Sequence, residues 1–244
     1  MIAWYAKNLA DGRVSAALDD RVLPSFSTIK VLLAAAFWKA VVAGEIDEAR
    51  PYAFQPWQSA GGAGVLRGFR HAAKMAFADY IHLSLVVSDN DATNIMLAYV
   101  GEERVNDLAA LLGLEQTALQ RRMMDWEAAA AGHDNLTCAR DLATLLEALV
   151  SGDARIGARP CELVLRSLAL QEHLEGLPRS LPAGATYAGK PGDDLPEGRY
   201  THDCGVVTTP GGLTLVLAVL TDGEGGYEAV SRRGRELYDE LTAD

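Results

Sequence analysis

Pro24-Ser25-Phe26-Ser27-Thr28-Ile29-Lys30-Val31-Leu32-Leu33-Ala34-Ala35-Ala36-Phe37-Trp38 is the stretch on which the reading of this chain turns. From Ser27 onward it predicts a buried helix: Ala and Leu form helices readily, and Ile29, Val31, Leu32, Leu33, Phe37 and Trp38 leave almost no polar face. Ser27 and Lys30 sit at its start, three residues apart and therefore on one face. The first-turn N–H groups of a helix have no intrahelical partners, and the dipole there is positive. An ammonium held among apolar neighbours gives up its proton more easily than one in water. A hydroxyl beside such an amine has the makings of an activated serine nucleophile with its own base. The ordinary alternative is an N-cap serine and a lysine whose head reaches water.

Composition bounds the function classes. The 244 residues are 49% hydrophobic and 23% charged, enough for one substantial core or two lobes sharing it. A net charge of −11 argues against nucleic-acid and anionic-membrane partners. Cys138, Cys161 and Cys204 are odd in number, widely spaced and in no C-x-x-C, which predicts reduced thiols rather than disulfides or zinc. The five histidines show no ligand spacing, so neither a metal nor another cofactor is expected. Met1-Ile2-Ala3-Trp4-Tyr5-Ala6-Lys7 contains neither a basic segment nor a long apolar run. As written, the chain is expected to be cytoplasmic, monomeric and free of membrane spans, with export only if a leader was removed.

Taken in order, Ile2 to Leu9 and Arg13 to Leu18 read as strands joined at Asp11-Gly12, a strong hairpin signal. Gly44 ends the central helix, and Arg50 to Gly68 reads as loop. Helices follow over about 74–87, 92–100 and 102–112, with Ser88-Asp89-Asn90-Asp91 breaking the first two apart. Residues 119–135 read as irregular or partly helical. Thr137 is expected to cap a helix over 139–150, and another spans 161–171. Strands are predicted over 186–190, 203–209 and 213–221, with a terminal helix over 227–241. Strands at both ends must meet. The expectation is an α+β fold: a five-stranded antiparallel sheet flanked by helices, formed by residues 1–23 and 183–244, with residues 24–182 inserted as an all-helical lobe.

Three short motifs then line up: Ser27-Thr28-Ile29-Lys30, Ser88-Asp89-Asn90 and Gly189-Lys190-Pro191-Gly192. Their order and spacing resemble the S-x-x-K, S-D-N and K-T-G set of class A β-lactamases and penicillin-binding proteins. The segment Ser88-Asp89-Asn90-Asp91-Ala92-Thr93-Asn94 is especially similar to that family's own, and the resemblance covers nearly the whole chain. It implies that Ser27 attacks a substrate carbonyl while Lys30 takes its proton or orients a water that does. Ser88 would pass a proton to the leaving nitrogen, helped by Lys190, and Asn90 would hold Lys30 and the substrate amide. The backbone N–H groups of Ser27 and Asp193, beside Gly192, would form the oxyanion hole.

Two departures shape the expectation. Pro191 replaces the family's Thr or Ser, so that position has neither hydroxyl nor N–H for a substrate carboxylate; Arg199 or His202 could supplement Lys190 there. The E-x-x-L-N motif that supplies the family's deacylating glutamate is missing from residues 121–135. Counting back from Thr137 puts Arg122 about where the glutamate would be, and Asp125 or Glu127 could serve only if the loop takes another path. The resemblance therefore implies a serine hydrolase that forms an acyl-enzyme on Ser27 from a small β-lactam, ester or amide, with weak β-lactamase turnover. The alternatives are a covalent acyl acceptor or sensor that does not turn over, and a relative of D-Ala-D-Ala peptidases.

Overall fold

The computed structural model describes residues 1–195, 197–223 and 225–243. In chain order its elements are β1 (Ile2–Asn8), β2 (Val14–Ala17), β3 (Leu23–Pro24), α1 (Lys30–Val42), β4 (Pro51–Phe54), β5 (Ala73–Ala76), α2 (Phe77–Val86), α3 (Asn90–Val100), α4 (Glu102–Leu112), α5 (Trp126–Ala130), β6 (Leu136–Thr137), α6 (Ala139–Ser151), α7 (Ala158–Leu168), β7 (Thr186–Asp193), β8 (Thr201–Thr208), β9 (Thr214–Thr221) and α8 (Gly226–Thr242). The five-stranded sheet has the order β2-β1-β9-β8-β7, every pair antiparallel. The two ends of the chain meet where Tyr5 pairs with Ala218.

Period-two alternation builds the layers. Leu215, Leu217 and Val219 of β9 pack with Val230, Leu237 and Leu241 of α8 on one face. Val216, Ala218 and Leu220 point the other way, into the core shared with the helices. β9 is thus buried on both sides, which is why its sequence is a continuous apolar run. α1 is buried almost all round, from Lys30 through Trp38. It ends where Gly44 takes a positive φ of 77° and its N–H donates to the Val41 carbonyl at 2.9 Å.

Several local expectations are corrected. Residues 26–29 form a 3-10 turn rather than the first turn of the helix, which begins at Lys30. Phe26 has φ +46°, and the Thr28 N–H and hydroxyl both turn back to the Ser25 carbonyl, so the backbone is already tightened before the α-helix starts. The segment 24–182 is not all helix: β3 pairs with β6, and β4 with β5. Residues 73–76 are strand because Tyr80 of α2 reaches over them. Its phenolic oxygen lies 3.2 and 3.1 Å from the Tyr52 and Ala73 carbonyls and accepts from the Phe54 N–H at 3.2 Å. Thr137 belongs to β6, and Cys138 caps α6 in its place, its Sγ accepting from the Asp141 N–H. α7 lies three residues earlier than expected, opening after Gly157. β7 runs three residues past Lys190, to Asp193.

Asp89 holds the loop before α2 against α3. It is 1% exposed; one oxygen accepts from the N–H groups of Val65 (2.7 Å) and Leu66 (2.9 Å), and the other caps α3 through Ala92 (2.9 Å). Gly64 is required there, because a Cβ would fall 2.4 Å from the carboxylate. Asp89→Ala strands three N–H groups, and each buried orphan costs about 1–3 kcal/mol. We expect a loss of about 3 kcal/mol or more, read as a lower denaturant midpoint at unchanged m-value. A loss below about 1 kcal/mol would contradict this account.

Candidate active site

Between the sheet's β7 edge and the helices lies a cavity of about 540 Å³. Ser27, Ser88, Asn90 and Lys190 all line it, as do Gly192 and Asp193. Lys30 lies behind them, fully buried, in hydrogen-bonding contact with two of the four. Every residue that the three motifs singled out therefore converges on one crevice.

One of these residues and the neighbour of another sit in backbone conformations that L-residues seldom adopt. Phe26, just before Ser27, has φ +46°, and Ser88 has φ +54°. Such positions cost of order 1–3 kcal/mol each, offset here by surrounding contacts. The Phe26 ring packs against Tyr200 and His202, with centroids 5.6 and 5.8 Å away. Ser88 is held by both lysines. Lys30 Nζ lies 2.7 Å from the Ser88 carbonyl, 3.1 Å from Ser88 Oγ and 2.8 Å from Asn90 Oδ1. Lys190 Nζ lies 3.0 Å from Ser88 Oγ and 2.9 Å from the Pro191 carbonyl. The Ser88 hydroxyl thus links two buried amines.

Burial pushes the Lys30 amine well below its usual range, and the nearby positive charge of Lys190 pushes it further; the Asp89 and Asp193 carboxylates oppose this. A neutral amine fits the geometry: two N–H bonds go to the Ser88 carbonyl and Asn90, leaving the lone pair for the Ser88 hydroxyl. Burial also lowers Lys190, to about 8, against support from Asp203 first. Asp203 lies on β8 and accepts from the Tyr187 hydroxyl and the Leu177 N–H, and burial raises its carboxyl to about 7. Ser27 is half-buried, and its hydroxyl makes no hydrogen bond among the described residues: Lys30 turns to Ser88 and Asn90 instead.

Gly192 brings β7 across the Ser27 turn. A Cβ there would stand 2.8 Å from the Ser27 nitrogen and 3.0 Å from that of Thr28, so only glycine allows this approach. Pro191 is accommodated because β7 is an edge strand. Neither proposed helper of Lys190 is available. Arg199 pairs with Asp222 at 2.7 Å and lies over the Tyr200 ring, 4.8 Å from its centroid. His202 is buried; its Nδ1 accepts from the Thr221 N–H, its Nε2 donates to the Pro24 carbonyl, and burial lowers it to about 4, so it is neutral.

The loop after α4 is also corrected. Asp125 caps α5 by accepting from the Ala128 N–H at 3.0 Å, and Glu127 is exposed; neither lines the cavity. Arg122 is exposed as well, and Met123 takes the inward place. Its backbone is clamped by Asn94, which accepts from the Met123 N–H at 2.7 Å and donates to its carbonyl at 3.1 Å. The base of the loop is closed by Arg121, which pairs with Asp134 at 2.7 Å, and by Asn135 Oδ1, which accepts from the N–H groups of Gln120 and Arg121. Sequence reasoning assigned no role to this closure, because its partners lie 13 to 15 residues apart in an unpatterned segment. Met123, Met124 and Trp126 line the cavity from this side, and no carboxylate of residues 121–135 does.

Among the described residues no group of His, Cys, Asp and Glu side chains is arranged to hold a metal, and no helix is long and apolar enough to cross a membrane. A family model described as the beta-lactamase enzyme family matches residues 1–241. A beta-lactamase of Streptomyces albus G is 31% identical, over 89% of this chain and 71% of its own length. A beta-lactamase regulatory protein, BlaB, of Streptomyces cacaoi is 27% identical, over 98% of this chain and 92% of its own. Among solved structures, PBP-A superposes with a TM-score of 0.89 at 28% identity, covering 99% of this chain and 89% of its own. A PBP-A mutant has also been solved as an acyl-enzyme complex with penicillin G.

Proposed function

The chain belongs to the beta-lactamase enzyme family, and from that premise we propose that it is a serine hydrolase whose acyl-enzyme forms on Ser27 and clears slowly. The observation that carries the reading is the chain of hydrogen bonds from Lys30 through Ser88 to Lys190, set beside Ser27 at the wall of one cavity.

In the first step Ser27 Oγ forms a bond to the substrate carbonyl carbon, and its proton passes to the neutral Lys30 amine. Lys30 must turn from Ser88 to receive it. The N–H groups of Ser27 and Asp193 hold the developing oxyanion. The bond to the leaving nitrogen or oxygen then breaks; Ser88 gives its proton to this atom and takes in its place the one that Lys30 received from Ser27, its own position fixed by the Lys190 ammonium. Asn90 keeps Lys30 in place through Oδ1 and presents its amide to the acyl side chain. Small β-lactams, esters and amides all fit this scheme.

Burst kinetics with a chromogenic cephalosporin and a p-nitrophenyl ester, read together with intact-protein mass, test it. One equivalent released rapidly, followed by slow steady release and an adduct on Ser27, is the expected result. Absence of any burst and any adduct would refute it. A second reading is supported by the lack of a cavity-facing carboxylate in residues 121–135: a covalent acyl acceptor that releases one equivalent and then stops.

The pH profile provides a separate check. The Lys190 ammonium is charged below about 8 and neutral above it. The free-enzyme profile of kcat/KM should therefore fall on the alkaline side with a midpoint near pH 8, approaching tenfold per pH unit. Lys190→Arg, which keeps its charge, should remove that limb. A wild-type profile flat to pH 9.5 would contradict the role given to Lys190.

A further inference from the structure

The β7 side of the cavity is where the leaving group must sit in the acyl-transfer reading, on which this inference rests, because Ser88 and Lys190 meet there. That wall is poor in free cations. Two of the Lys190 ammonium's donors go to Ser88 and the Pro191 carbonyl. Pro191 has no N–H, Arg199 is tied to Asp222, and neutral His202 has both ring nitrogens engaged within the protein.

Carboxylates stand there instead. Asp193, Asp194 and Glu175 all line this side of the cavity. Asp193 is fixed in place: the Tyr227 hydroxyl donates to one oxygen and the Leu195 N–H to the other at 3.1 Å. Asp194 accepts from the Tyr200 N–H at 2.9 Å, and Glu175 is exposed. Arg67 and Arg121 come from the loops before α2 and after α4, Arg121 being paired with Asp134, and the His173 ring also lines the cavity, its Nε2 3.4 Å from the Val87 carbonyl. Apolar side chains from the rest of the lining, Phe26, Met124, Trp126 and Leu195, suit an uncharged chain. Trp126 and Leu195 remain 50% and 60% exposed at the surface.

We infer that Asp193 is a specificity determinant: the site takes acyl donors with an apolar acyl chain and a neutral or cationic leaving group, and discriminates against donors whose leaving group carries a carboxylate. Such a carboxylate would face the fixed like charge of Asp193 with one remaining Lys190 N–H to meet it, and like charges in a partly desolvated cavity repel more strongly than in water.

Three phenylacetyl esters test this, those of 3-hydroxybenzoic acid, 3-hydroxybenzamide and 3-(aminomethyl)phenol, each rate being divided by that ester's own hydroxide-catalysed rate. In the wild-type protein kcat/KM for the carboxylate ester should be at least tenfold below that for the amide, and the amine ester should equal or exceed the amide. Asp193→Asn should bring the carboxylate-to-amide ratio to within threefold of one, whatever it does to the absolute rates. A carboxylate ester that matches or beats the amide in the wild type, or a ratio that Asp193→Asn leaves unchanged, would overturn the inference while leaving the acyl-enzyme reading intact. Failure of all three esters and of a chromogenic cephalosporin to label Ser27 would overturn both.

Discussion

Ser27→Ala ends covalent labelling: incubated with a chromogenic cephalosporin or a p-nitrophenyl ester, the variant keeps its unmodified mass and shows no burst. Two serine hydroxyls line the cavity, those of Ser27 and Ser88. Ser88 is 5% exposed and its oxygen is held between two amines, whereas Ser27 is half-buried with its hydroxyl unengaged. The strong contacts of Ser88 suit proton transfer, and the freedom of Ser27 suits attack. Removing a nucleophile costs on the order of 10⁴-fold or more in rate. Asp125→Ala and Glu127→Ala should label like the wild type, because Asp125 caps α5 and Glu127 faces away. Asp125→Ala loses only about 1 kcal/mol of stability with its cap. Labelling of the Ser27→Ala protein at the wild-type rate would move the chemistry to another residue. Loss of labelling in either acid variant would bring that acid into the site.

Much of this site was legible because its parts are local. Ser27 and Lys30 are one turn apart, and Ser88-Asp89-Asn90 is a helix-breaking cluster between two apolar helices. Residue type and short spacing made both candidates, and the resemblance to the family's motif set gave them their roles. The fold was legible for a related reason: the hairpin at the start and the strands at the end each keep an unpaired edge unless they find each other, and they do, β1 against β9. What stayed hidden depends on distant partners. β4 and β5 become strands because Tyr80 bonds to both, and Ala73-Lys74-Met75-Ala76 by itself reads as helix. His202 and Arg199 looked free to meet a substrate carboxylate, but Pro24, Thr221 and Asp222 had already engaged them. Counting residues back from Thr137 put Arg122 inward. The Asn94 clamp and the Arg121–Asp134 pair set the loop one residue differently, and Met123 faces the cavity.

That one-residue shift defines the second large effect: Met123→Glu should convert slow clearance into turnover. Deacylation needs a base that can activate a water beside the ester carbonyl. The loop supplies none, while Met123 lines the same cavity as Ser27 and Asn90 with 7% exposure. Its backbone is bonded at both N–H and carbonyl by Asn94, so a new side chain inherits a fixed starting point. A positioned general base contributes about 10²–10⁴-fold. We expect the steady-state rate after the burst to rise by about 100-fold and the adduct lifetime to shorten in step, with the burst itself nearly unchanged. Burial at this position raises a carboxyl's pKa, so the gain should grow as pH rises until the new base is ionised. Met123→Gln, similar in shape but without a base, separates the alternatives. If glutamine accelerates clearance as much as glutamate, the change acts by loosening the loop. If neither alters the lifetime of the adduct, water reaches the acyl-enzyme from another side, and the methionine is not what makes it persist.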